Sequence, residues 1–346
     1  MKDKEIKVFL LGSYKNNAGP DNVNRCLIKN SIHDLLHIEQ TGRVMKRIEI
    51  FCKIISSDIV VFSGFGKNKF WLSLCKFLRR KTIYLMHGCA TYETKINKLD
   101  VKQRILDFEK GFLESVDLVL PVSEQYKNWV IQQFPSIEKK IHFLNSGISG
   151  GGQSYAIDNR NHKENDEKIC IIVAGGDRIQ KNNIEVCKAV ELLSERINKK
   201  IELQICGRRY YDNDIFSKYP HTTYLGMLPN EQFMEKLSNA HVFVLNSEVE
   251  SFGLSAVDAL RAGCNILISQ NSGIRSILSL TEEDIIFDTH NPSEIADKIE
   301  KLISKNNCMR ILDSINFEHY SWKSVADRLY KICEAVYDGK DYNLIR

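Results

Sequence analysis

Residues 241–269 read "HVFVLNSEVESFGLSAVDALRAGCNILIS". Two short β-branched runs, 241–245 and 265–269, bracket an acidic turn, a Phe-Gly step and a stretch with helical spacing. A strand, a helix and a second strand in that order form the repeating unit of a parallel sheet. Within it, Glu250 stands just before the helix and Asp258 lies one to two turns inside. The first N–H groups of a helix have no intrahelical partner and sit at the positive end of its dipole. The neighbourhood of Gly253, Leu254 and Ser255 therefore suits a phosphate or diphosphate, and Gly253 lets an anion come close to the backbone.

The same alternation extends outward in both directions. Candidate strands lie at 6–11, 58–63, 82–86, 117–122 and 141–144, then at 168–174, 201–206, 222–225, 241–245, 265–269 and 284–287, nearly all separated by helical stretches. The series restarts after residues 145–168, "NSGISGGGQSYAIDNRNHKENDEK", which have the Gly-rich, mixed-charge composition of a linker. The expected architecture is α/β, with two Rossmann-like, doubly wound parallel-sheet domains. The first covers 1–150 and the second 151–320, with a last helix in 321–346 expected to pack back toward the first. Ligands of such sheets sit at the carboxyl ends of the strands. Two edges of this kind facing one another would form a cleft.

The chain has 346 residues, 43% of them hydrophobic, and ten cysteines scattered with no C-x-x-C pair. That cysteine usage fits a reducing compartment and argues against a zinc or disulfide framework. No apolar run reaches the roughly 18–20 residues that cross a bilayer, and "EIKVFLLGS" at the start reads as a first strand and not a signal peptide. A cytoplasmic protein is expected, free or on the inner face of a membrane. Charge is uneven. Residues 1–150 hold 24 Lys and Arg against 15 Asp and Glu, and the remainder 24 against 29. Either one half faces something anionic or ordinary surface charge has segregated.

"ESFGLSAVDALRAGCNILIS" resembles the E-x7-E signature of glycosyltransferase family 4, with Glu250, Phe252, Gly253, Leu254, Ala259 and Gly263 in matching places. Asp258 replaces the second Glu, and Asn265 the usual proline. The resemblance implies a GT-B fold and retaining transfer of a sugar from a nucleotide-sugar to a hydroxyl. It implies no required metal or cofactor. In "AGGDRIQKNN" (174–183), Arg178 and Lys181 take the places of the family's diphosphate-gripping cations. His87, in "MHGCATYE", matches a histidine that touches the donor sugar, and Gly19 a glycine loop near the diphosphate. Glu250 and His87 are the catalytic candidates. Gly19, Arg178, Lys181, Phe252, Gly253, Leu254 and Asp258 are the donor-binding ones, and no metal ligands are expected. Asp258 also has a local alternative, an i,i+3 pair with Arg261. In "NSGIRSIL" (271–278), Ser276 stands where the family often has Glu.

Partners expected from this reading are the nucleotide-sugar donor and a glycan or lipid-linked glycan acceptor, in polysaccharide or envelope synthesis. Residues 67–81, "KNKFWLSLCKFLRRK", leave two readings open: a helix covering the first sheet, or one lying in an anionic membrane interface. Nucleic acid is not an expected partner, because no basic-aromatic pattern tracks a groove. Two rivals remain. One is a catalytically silent GT-B partner or scaffold subunit, favoured by Asp258 and Ser276. The other is a different GT-B enzyme, such as a sugar-nucleotide epimerase or hydrolase, which would want more grouped acids and histidines. A dehydrogenase is disfavoured by the missing G-x-G-x-x-G.

Overall fold

The computed structural model describes residues 5–15, 19–64, 68–100, 103–151, 156–159, 167–212 and 214–345. The chain divides into two compact units, Met1–Ser149 with Phe317–Arg346, and Gly150–Asn316. Each is a doubly wound parallel sheet, as the strand–helix alternation requires. Much of the expected linker, 152–155 and 160–166, lies outside the described residues.

In the first unit the strands are β1 (Val8–Leu11), β2 (Leu35–Leu36), β3 (Ile59–Ser63), β4 (Lys81–Met86) and β5 (Leu118–Pro121), in the order β2-β1-β3-β4-β5. All pairings are parallel. Helices α1 (Gly19–Asn30), α2 (Arg43–Ser56), α3 (Lys69–Phe77), α4 (Ala90–Ile96), α5 (Gln103–Ser115) and α6 (Glu124–Gln133) make the crossovers. Val8–Leu11 and Ile59–Phe62 are continuous apolar runs with no exposed face, because helices cover both sides of a parallel sheet. Expected strand 141–144 is not one: Ile141 makes an isolated bridge to Val119, and the N–H groups of His142 and Leu144 bond along the β5 edge. β2, only two residues long, carries no periodicity that a sequence could show. In α3, Leu72 and Cys75 pack inward while Phe70 and Phe77 face solvent.

In the second unit the strands are β6 (Lys168–Ala174), β7 (Lys200–Cys206), β8 (Thr222–Gly226), β9 (Val242–Leu245), β10 (Asn265–Ser269) and β11 (Ile285–Ile286), in the order β11-β10-β9-β6-β7-β8. The helices are α7 (Asn183–Ser194), α8 (Asn230–Asn239), α9 (Leu254–Arg261), α10 (Pro292–Ser304) and α11 (Cys308–Asp313). Ile171, Val173, Val186, Val190, Leu203 and Val244 form the centre of its core.

The last helix, α12 (Trp322–Asp338), belongs to the first unit and packs on α1. Ser321 caps its start by accepting the Ser324 N–H at 3.1 Å, and Gly339 ends it at φ +68°. Tyr330 stacks on His33 with ring centroids 3.6 Å apart and donates its hydroxyl to the Ile6 carbonyl. All ten cysteines are free thiols, eight of them buried. No helix among the described residues is long and apolar enough to cross a membrane.

Candidate functional site

Strand order reverses once in each sheet, between β1 and β3 in the first unit and between β6 and β9 in the second. Such a switch point opens a crevice at the carboxyl ends of the strands. The candidate residues gather at these two places.

In the second unit, β6 runs into Gly175-Gly176-Asp177-Arg178, a 3-10 turn at Ile179–Lys181, and then α7. β9 runs into 246–250 and, after Gly253, into α9. The two loops meet through an ion pair between Lys181 Nζ and Glu250 Oε2, residues 69 positions apart. Their side chains are 11% and 14% exposed, so the pair is largely withdrawn from water. The Ser247 hydroxyl also donates to Glu250 Oε2, at 3.3 Å. Glu250's own backbone is fixed to the loop after β10: its N–H donates to Asn271 O at 3.3 Å, and its carbonyl accepts from the Gly273 N–H at 3.0 Å. Gly175 and Gly253 are both required in these turns. Gly175 has φ +103°, and a Cβ there would lie 2.5 Å from Lys181 Cγ. Gly253 has φ +104°, and its Cβ would lie 2.9 Å from Leu245 Cδ2.

Helix α9 starts at Leu254, where Gly253 holds the left-handed cap. Phe252 is buried, and its carbonyl accepts the Ile274 N–H at 2.7 Å. Leu254 is half-buried at the helix start. Asp258 sits 3.9 Å from Arg261, the local pairing that its spacing allowed. Desolvation of its carboxyl raises its pKa above the usual carboxylate value, while the Arg261 guanidinium opposes the rise.

Arg178 does not join the Lys181–Glu250 pair. Its guanidinium lies 5.7 Å from the Tyr210 ring centre, and that of Arg208 lies at the same distance. The loop after β7 is held there by Asp177, a buried acid whose two oxygens accept the N–H groups of Tyr210 and Tyr211 at 2.8 and 3.1 Å. Gly176 and Gly207 let the two loops touch backbone to backbone, since a Cβ on either would overlap the other loop. Sequence reading missed Asp177, Arg208 and Tyr210. An acid immediately after a Gly-Gly strand end was the available sign for the first, and none existed for the other two.

In the first unit, His87 follows β4, and its Nε2 lies 2.9 Å from the Ser63 hydroxyl at the end of β3. Burial pushes its pKa down to about 4, with Asp21 pulling the other way, so the ring is neutral at pH 7. The turn after it is pinned by the fully buried Glu109 of α5, which accepts the Ala90 and Thr91 N–H groups at 2.9 and 2.6 Å and so caps α4. Ser13, after β1, donates to Asp21 Oδ2 at 2.7 Å, and Asn24 donates to the Ser13 carbonyl at 2.7 Å. Gly19 is exposed at the first position of α1, with open space where a side chain would go.

Residues 155–322 match the protein family described as glycosyl transferases group 1. The chain is 24% identical over 236 residues to an uncharacterized glycosyltransferase of Methanocaldococcus jannaschii, a match covering 62% of this chain and 60% of that one. It is 25% identical over 162 residues to the sulfoquinovosyl transferase of Arabidopsis thaliana, covering 44% and 32%. These matches span less than two thirds of each relative's length. In fold the chain is similar to Anabaena HepE, crystallised with UDP and glucose, at a TM-score of 0.69 and 11% identity over 95% of this chain and all of that one. It is also similar to sucrose-phosphate synthase of Thermosynechococcus elongatus, at a TM-score of 0.66 and 14% identity over 97% and 100%. Two parallel-sheet α/β units are the architecture of these GT-B neighbours.

Proposed function

We propose that this chain, whose residues 155–322 match the group 1 glycosyltransferases, moves a sugar from a nucleotide-sugar to a hydroxyl acceptor with retained anomeric configuration. The observation that carries the reading is the Lys181–Glu250 contact at the β6/β9 switch point. A cation and a carboxylate withdrawn from water beside a helix start are the two charges this reaction uses. As the C1–O bond of the donor breaks, negative charge gathers on the departing diphosphate. Lys181, Arg178 and the N–H groups at the start of α9 take that charge, which needs no metal in this reading. Glu250 holds the donor sugar's hydroxyls and faces the positive charge growing at C1. The acceptor oxygen bonds to C1 from the side the diphosphate leaves, and its proton passes to the leaving phosphate oxygen.

His87, neutral at pH 7, is assigned a hydrogen bond to the donor sugar, with Ser63 setting the orientation of its ring. Gly19 is assigned to the diphosphate side, and Asp258 to the ribose or its surroundings. The acceptor is a glycan or lipid-linked glycan of polysaccharide or envelope synthesis. The test is release of free nucleoside diphosphate from a panel of nucleotide-sugars, with and without a lipid extract as acceptor. Acceptor-dependent release from one donor supports transfer. Release without acceptor supports a hydrolase. Binding without release supports a silent partner subunit, the reading that Asp258's engagement with Arg261 favours.

A further inference from the structure

Helix α2 carries apolar side chains on two sides. Ile50 and Ile54 are buried against the sheet. Val44, Ile48, Phe51 and Ile55 recur at intervals of four, three and four, forming a second stripe roughly 110° round the helix from the buried one, with Met45 beside it. These five are 44–70% exposed, and Cys52 beside them is exposed too. A surface helix of a doubly wound fold needs only the inward stripe, so the outward one calls for an explanation.

A further pair of exposed aromatics stands on α3. Arg80, just past α3, donates from Nη2 to the Ile55 carbonyl at 2.6 Å, joining the end of α3 to the last turn of α2. One turn before it, Phe77 is 83% exposed, and Phe70 at the other end of α3 is 65% exposed. The rim is basic: Arg43, Lys46 and Arg47 are exposed on α2, as are Lys76 and Arg79 at the end of α3. The only acid of α2 is Glu49, and it is consumed locally. It pairs with Lys53 at 2.8 Å and accepts the N–H groups of Glu39 and Gln40, both at 2.9 Å. α3 contains no acid.

We infer that the α2–α3 face of the first unit docks on an anionic lipid bilayer, with Val44, Ile48, Phe51, Ile55, Phe70 and Phe77 entering the headgroup–acyl boundary and the cations meeting lipid phosphates. Apolar side chains set among exposed cations match such a surface in both respects. A second copy of the chain matches only the apolar part, because a two-fold contact would bring like-charged rims together. The inference stands on this unit alone and does not depend on the transfer reading.

Sedimentation of the full chain with phosphatidylcholine vesicles, with and without roughly a quarter phosphatidylglycerol, tests it in the absence of any donor. The expected result is binding to the anionic vesicles that weakens as salt rises from about 0.1 M to about 1 M. The double variant Ile48→Glu/Phe51→Glu, checked for native circular dichroism, should bind at least about tenfold more weakly. The triple variant Arg43→Gln/Lys46→Gln/Arg47→Gln should lose the preference for anionic over neutral vesicles. Absence of binding, equal binding to both vesicle types, or wild-type binding by the double variant overturns the inference. So does a dimer in analytical ultracentrifugation that the double variant dissociates without any vesicle binding by the wild type.

Discussion

Replacing Glu250 by Gln separates the two charges of the candidate site without changing its shape. Two unit charges about 4 Å apart at an effective dielectric of about 20 attract by about 4 kcal/mol. Desolvation takes back much of that, so a largely buried pair such as Lys181–Glu250 stabilises by about 1–3 kcal/mol. For a unit of this size that is a fall in Tm of about 2–10 °C. The variant also leaves Lys181 with no carboxylate to compete with a diphosphate. In a thermal-shift titration with UDP, GDP and ADP in turn, the nucleotide that stabilises the wild type should stabilise Glu250→Gln at least as much, while sugar transfer falls at least about 100-fold. Lys181→Ala should instead lose both nucleotide stabilisation and transfer. Equal loss of nucleotide affinity in the two variants, or transfer by Glu250→Gln within about threefold of wild type, would refute the division of labour between cation and carboxylate.

Three further outcomes are expected. Gly175→Ala forces a side chain into a left-handed backbone and against Lys181, so Tm should fall by the equivalent of at least about 1–2 kcal/mol and transfer should fall with it. Chemical denaturation and the release assay read the two effects. For His87, the folded pKa of about 4 lies below the unfolded value of 6.5, so between those pH values the unfolded chain binds the extra proton. Stability should therefore drop as pH falls from about 6.5 toward 4, by on the order of 2–3 kcal/mol, and His87→Asn should flatten that part of the Tm–pH curve. Asp177→Ala removes the acceptor of two N–H groups, and hydrogen exchange at Tyr210 and Tyr211 should rise at least about tenfold, since each bond to a charged acceptor contributes about 1.5–3 kcal/mol.

The sheets were legible because parallel strands covered on both faces are unbroken apolar runs, and Ile59–Phe62 or Ile169–Val173 cannot be read otherwise. Residues 141–144 share that composition but lie at the edge of β5, where only part of a ladder forms. Glu250 and Gly253 were visible from local pattern, and Lys181 through the family resemblance. Their meeting was not, because it depends on β6 and β9 being neighbours, a property of strand order that residue spacing does not encode. Arg178 shows the reverse: its place in the loop was legible, but its turn toward Tyr210 depends on Asp177 reaching across to another loop. The outward stripe of α2 was hidden for a third reason. Periodicity reveals that a helix has an apolar side, and only the packed structure shows that a different side already serves the core.

The first unit is assembled from two separate segments, with Gly150–Asn316 lying between them in sequence. On a ribosome, the second unit emerges as one uninterrupted segment and can close on itself while the first still lacks α12. Until α12 appears, α1 lacks the helix that packs on it, and Tyr330 is not there to bind the Ile6 carbonyl. Of the two units, the one whose translation begins earlier is thus the one that can finish folding later.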